Sequence, residues 1–301
     1  MSRPSFLERL GLHRPELRAW AMYDWANSAF VLVVITAVFP IFYKGIAEGA
    51  GVDAATATKW LSYATTISLL TVASFSPLLG AVADFLGIKK KMLAIFVALG
   101  SAATAGLFWI HAGDWIPALV FFGLGNASLF LSFVFYDSLL PHIAQSEEEL
   151  DRVSTAGYAI GYLGSGLLLV GLLAMIQKPE LVGLADAGDA TRVGFLIVAL
   201  WWAGFSLPLF FKVSEPKSQL DRKGAGTHLK TAVRVAMARL RDTARELRGD
   251  YKEAFTMLLA FMIYNEGVST IIRMGVIYAA SKGFPDHSVI VAVLPTNWIS
   301  R

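Results

Sequence analysis

Residues 20–43 read WAMYDWANSAFVLVVITAVFPIFY, and the length of that run decides the fold class. A bilayer core of ~30 Å takes about 20 apolar residues of α-helix to cross. Six further runs of the same kind follow, at about residues 60–83, 92–111, 115–138, 154–176, 193–211 and 254–280. All seven are expected to be helices, because an open strand in lipid leaves its backbone groups unpaired. The first run is too long for the apolar core of a signal peptide, which spans about 7–15 residues. Composition agrees: 55% of the 301 residues are hydrophobic and 16% charged, where a soluble domain carries about 25% charged. With no cysteine, disulfides, cysteine-ligated zinc and thiol catalysis are excluded.

The charges between the runs set an orientation. Nineteen of the 26 Lys and Arg fall on one side: the N-terminal tail, the loop holding Lys89, Lys90 and Lys91, the loop holding Arg152, and a long segment from Lys212 to Lys252. Five fall on the other. The positive-inside rule puts the first group in the cytoplasm. Within the long segment, Leu229, Val233, Ala236, Leu240, Ala244, Leu247 and Tyr251 recur at helical spacing with arginines between them. That pattern predicts a basic amphipathic helix on the inner leaflet or against the bundle. The chain is thus divided into a six-span bundle (1–212), a basic cytoplasmic linker (213–253) and the start of a second bundle (254–301).

Ionisable groups at membrane depth are costly and mark candidate sites. Asp24 and Asn27 share a helix face in the first run. Tyr136 and Asp137 end the fourth run at the same depth, as three-helix inverted repeats would place them; pairing of Asp137 with a loop cation is the plainer alternative. In the seventh run Asn265 and Glu266 lie near the bilayer centre, and Arg273 follows seven residues later on the same face. Glu266 is a candidate proton carrier and Arg273 a candidate partner for a substrate carboxylate. Between the second and third runs, Gly80, Asp84, Gly87, Lys89, Lys90 and Lys91 suggest close helix approach and a tight turn. Asp84 is expected to accept from a helix N-terminus, with the lysines in the cytoplasm. Gly157, Gly161, Gly164 and Gly166 form a small-residue packing face on the fifth run. No nucleophile–base pair or metal cluster is visible, so no enzyme chemistry, cofactor or metal is expected, and nucleic-acid binding is not implied.

The Gly80/Asp84/Gly87/Lys89-Lys90-Lys91 loop resembles the signature loop of the major facilitator superfamily. Tyr23-Asp24-Trp25-Ala26-Asn27-Ser28-Ala29-Phe30, Tyr136-Asp137-Ser138-Leu139-Leu140-Pro141, Gly161-Tyr162-Leu163-Gly164 and Tyr264-Asn265-Glu266-Gly267 look like the vacuole-effluxer branch, related to autophagy-linked amino-acid exporters. The resemblance covers residues 16–290. It implies twelve spans, a cavity lined by the first, fourth, seventh and tenth, and alternating access that effluxes amino acids or other small solutes, with protons as a candidate coupling ion. Phe85 stands where the signature usually has a basic residue, and Glu266 where Asp is expected. Against twelve spans the chain reads as C-terminally truncated. A non-transporting fragment or helix-associating scaffold is the alternative. The bacterial inner membrane is the expected location, with a vacuolar membrane as the alternative.

Overall fold

The computed structural model describes residues 5–216 and 229–281, and every regular element among them is a helix. A capped turn, α1 (Phe6–Arg9), leads into α2 (Pro15–Ala29). The same span continues through Phe30–Ala37 as a π-helix, where the Val38 N–H donates five residues back to the Val33 carbonyl at 2.8 Å. Thr36 contributes to this winding: its hydroxyl donates to the Val31 carbonyl at 2.9 Å, also five residues back. A 43° bend follows before α3 (Phe39–Gly49). Pro40 sits in the first turn of α3, where its missing N–H is tolerated but cannot extend the preceding ladder. The first span, a helical run by its hydropathy, is therefore bent.

Asp53 caps α4 (Ala54–Leu86), accepting from the Thr56 N–H at 3.0 Å. The bonds from Thr56 hold the Asp53 carboxyl below its ordinary range. Gly87 ends α4 at φ +65°, a left-handed conformation that favours glycine. The chain then turns directly into α5 (Lys89–Gly106). Next come α6 (Trp115–Asp137), the short α7 (Leu140–Ile143), α8 (Glu147–Gln177) and α9 (Ala187–Lys212). After the undescribed residues 217–228, α10 (Leu229–Gly249) and α11 (Lys252–Ser281) complete the described chain.

Among the described residues, five helices are long and apolar enough to cross a bilayer: α4, α5, α6 with α7, α8 and α9. The bent α2–α3 pair makes a sixth. The protein is an all-α polytopic membrane protein. The span α2 lies at the centre of the bundle, with Leu17, Trp20, Tyr23, Ala26, Asn27 and Phe30 all buried, packed against α8 and α9. By contrast α4 leaves Ile67, Leu70 and Phe75 exposed. Such a face would favour aggregation in water and is at home in lipid.

Candidate functional site

The site begins with helical spacing on two spans. Trp20, Tyr23, Asp24 and Asn27 project from neighbouring positions on α2, and Ser132 and Tyr136 lie one turn apart on α6. Facing each other, they form a hydrogen-bonded network at the end of the bundle that carries the basic loops. The Tyr136 hydroxyl donates to Asp24 Oδ2 at 3.0 Å. The Tyr23 hydroxyl donates to Ser132 Oγ at 2.6 Å, and the Ser132 hydroxyl in turn donates a hydrogen bond to the Leu129 carbonyl at 2.6 Å. Asn27 Nδ2 donates to the Tyr23 carbonyl at 2.8 Å and reaches Asp24 Oδ1 at 3.5 Å. Trp20 stacks on Tyr136 with ring centroids 4.2 Å apart, and its Nε1 donates to the Tyr136 carbonyl at 3.1 Å.

The glycines of α8 close the other side of Asp24. A Cβ on Gly157 would stand 2.5 Å from Asp24 Oδ2. One on Gly161 would stand 2.6 Å from Ser28 Oγ and 2.9 Å from the Asp24 carbonyl oxygen, and one on Gly164 would lie 2.5 Å from the Trp25 ring. These positions, at i, i+4 and i+7, let the α8 backbone lie directly on α2. Gly166 is only partly buried. Asp24 thus sits half-buried with a phenol donor on one side and bare backbone on the other. Such a carboxylate can hold or release a proton, and protonation would weaken its charge-assisted bond from Tyr136.

Neighbouring residues diverge here. Tyr136 joins the network, whereas Asp137 is exposed at the end of α6 with no hydrogen-bond or ion-pair partner among the described residues. Asn265 is exposed on α11. Glu266 and Arg273 also fall on α11, but their side chains lie outside the described residues.

The signature-like loop differs from its expected geometry. Asp84 was expected to accept from a helix N-terminus, but its carboxylate meets Lys89 Nζ at 2.5 Å. Lys89 is 6% exposed, tucked into the basic end of the bundle. Its ammonium is held by Asp84, the Ser138 carbonyl (3.3 Å) and His142 Nε2 (3.1 Å), so burial leaves no lone charge. Lys90 docks too. Its backbone N–H is capped by the Glu215 carboxylate at 3.1 Å, and its Nζ donates to the Val213 carbonyl at 2.5 Å. Lys91 stays exposed, and Gly80 packs against Val134 of α6.

Toward the opposite end lies a cavity of about 560 Å³, bounded by Ile35 and Pro40 of the first span, Ser62, Thr65 and Thr66 of α4, and Phe122 of α6, with Thr270 and Met274 of α11 on its rim. Among the described residues, none of the ionisable candidates lines it. Ser62 and Thr65 spend their hydroxyl protons on carbonyls four residues back, at 2.9 Å each. Beneath the cavity is a polar contact that the sequence reading missed. Asn126 is 1% exposed and donates to Ser68 Oγ at 2.6 Å, and Ser68 donates to the Thr65 carbonyl at 2.8 Å. An Asn amid the apolar run of α6 was the available signal, since a polar group there needs a partner. Among the described residues, no group of three His, Cys, Asp or Glu is arranged to hold a metal ion.

Comparison with known proteins adds to this geometry. Residues 56–283 match the family model described as vacuole effluxer Atg22 like. The chain is 34% identical over 283 residues to YxiO of Bacillus subtilis (strain 168), an uncharacterized MFS-type transporter, covering 94% of this chain and 64% of that protein. It is 23% identical over 172 residues to autophagy-related protein 22 of Neurospora crassa, covering 47% of this chain and 23% of that protein. It is 26% identical over 136 residues to autophagy-related protein 22-1 of Penicillium rubens, covering 44% and 22%. The chain spans less than two thirds of the length of these curated relatives. No solved structure matches it.

Proposed function

The chain belongs to the Atg22-like vacuole effluxer family, a branch of the MFS-type transporters, and from that premise we propose that it moves a small solute, an amino acid in the first instance, by alternating access. The observation that carries this reading is the Asp24–Tyr136 bond, a carboxylate held between two spans inside a membrane bundle. In this scheme the network at the basic end is a closed gate, and the cavity at the other end, largely apolar with hydroxyls at Ser62, Thr65, Thr66 and Thr270, receives the solute. Protonation of Asp24 loosens Tyr136, α2 and α6 part at the basic end, and the solute gains a path to that side. Glu266 and Arg273, on α11, are proposed as a second coupling pair. The loop charges support a basic end on the cytoplasmic side, and a bacterial inner membrane is the proposed location.

The test is counterflow in proteoliposomes. Vesicles bearing the chain and preloaded with a mixture of unlabelled amino acids should accumulate at least one labelled amino acid above protein-free vesicles. Accumulation equal to protein-free vesicles for every amino acid and for small organic acids would reject the reading for this chain.

A further inference from the structure

The helix α10 carries six cations (Lys230, Arg234, Arg239, Arg241, Arg245 and Arg248) against two acids, Asp242 and Glu246. Its position is constrained at both ends of its packing. Val233 and Ala236 seat on Leu78, Ala81, Val82, Phe85 and Leu86, the last turns of α4 at the basic end of the bundle. Two residues after its end, the chain enters α11. An element packed on the inner end of the long apolar helix α4 lies at the level of the headgroups.

The arginines are not spread evenly around it. At 100° per residue, Arg234, Arg241, Arg245 and Arg248 fall within one narrow stripe, about 21 Å long at 1.5 Å per residue. All four are exposed. Internal partners do not absorb the stripe. Arg245 meets Asp242 at 3.2 Å, and Arg248 lies over the Phe255 ring at 5.8 Å. Arg234 and Arg241 have no ion-pair partner among the described residues. The acid nearest in the packed part of α4, Asp84, is engaged by Lys89. Met237 is 53% exposed, one turn from both Val233 and Arg241, where the stripe meets the apolar face. A row of cations bordered by an exposed apolar side chain, held at headgroup level, matches an anionic bilayer surface.

We propose that α10 is a binding surface for anionic phospholipid headgroups, with the Arg234, Arg241, Arg245 and Arg248 stripe on the phosphates and Met237 in the interface. The packing on α4 makes this contact a brace on the inner end of that helix.

Because the chain has no cysteine, Met237→Cys gives a single labelling site on the intact 301-residue chain. A polarity-sensitive fluorophore there should shift to the blue in vesicles containing one-third phosphatidylglycerol, relative to phosphatidylcholine alone. High salt should reverse the shift, since exposed charges are screened. The quadruple Arg→Gln variant should lose it, and the quadruple Arg→Lys variant should retain it. Equal emission in both lipids would overturn the proposal. So would a shift that survives both salt and the Arg→Gln change, which would mean plain apolar docking. A shift produced in phosphatidylcholine vesicles only by an added soluble polyanion would point to a cytosolic partner and equally overturn it. If the Arg→Gln variant does not fold, salt reversal and the Arg→Lys result decide the matter alone.

Discussion

The two halves of the first span are constrained very differently. In α2, at the basic end, glycines of α8 bring backbone within contact of Asp24, Ser28 and Trp25, and hydrogen bonds tie Tyr23 and Asp24 to α6. In the other half the ladder is wound as a π-helix through Phe30–Ala37, bends by 43°, and borders a cavity of about 560 Å³. Extended π-winding is rare and tends to occur at functional sites. One end of the span is fixed by close packing and directional bonds, while the other has space and a π-wound ladder. The alternating access proposed above needs both kinds of region, and here a single helix carries them.

The largest expected effect tests the packed half. Gly161→Leu places a side chain against the Asp24 carbonyl, which cannot move without breaking α2. Overpacking of this kind costs about 1–3 kcal/mol or more, and the variant should lose the monodisperse peak in detergent chromatography. On the same helix, Gly171 has nothing within 4 Å, so Gly171→Leu should behave as wild type. Equal behaviour of the two would mean that the packed half is not special. Next is Lys89→Met, which removes a buried cation from Asp84, Ser138 and His142. Asp84 is half exposed and can turn to water, so the expected loss is only about 1–2 kcal/mol, seen as a lower melting temperature with the oligomeric state unchanged.

The loose half should respond in binding and not in stability. Thr66 lines the cavity and is exposed there. Thr66→Val should weaken solute binding several-fold, about 1 kcal/mol for one lost hydrogen bond, with no change in melting temperature. Smallest is Asn126→Leu. Its Oδ1 is buried without a partner, and Ser68 keeps the Thr65 carbonyl when the amide is gone. The change should stay within about 0.6 kcal/mol, the usual size of an interhelical polar contact in a membrane. A loss well above that would place Asn126 in a larger network than the one described.

Much of this contrast could be read from the chain, but only in pieces. The spans were legible because lipid demands length and apolarity together, and residues 20–43 meet both demands. Asp24 and Tyr136 each stood out as polar groups at membrane depth. What joined them was the packing of helices 112 residues apart in sequence, which no local pattern encodes. Packing likewise separated Tyr136 from Asp137, which a motif treats as one unit but which point about 100° apart on α6. Hydropathy cannot tell π-winding from α-winding, so the bend at Pro40 and the cavity beside it were invisible. Three consecutive lysines read as a solvated loop, yet the turn at Gly87 rotates Lys89 inward onto acceptors supplied by α4 and the α6–α7 corner.

The account rests on Asp24 as the group that links the packed gate to solute movement. The most direct test is flux in proteoliposomes containing Asp24→Asn, compared with Asp137→Asn in the same preparation. The account predicts that Asp24→Asn folds with the wild-type chromatographic profile but loses flux at least tenfold, while Asp137→Asn keeps flux within about twofold; tenfold corresponds to about 1.4 kcal/mol. Wild-type flux from Asp24→Asn, or an equal loss from Asp137→Asn, would contradict it.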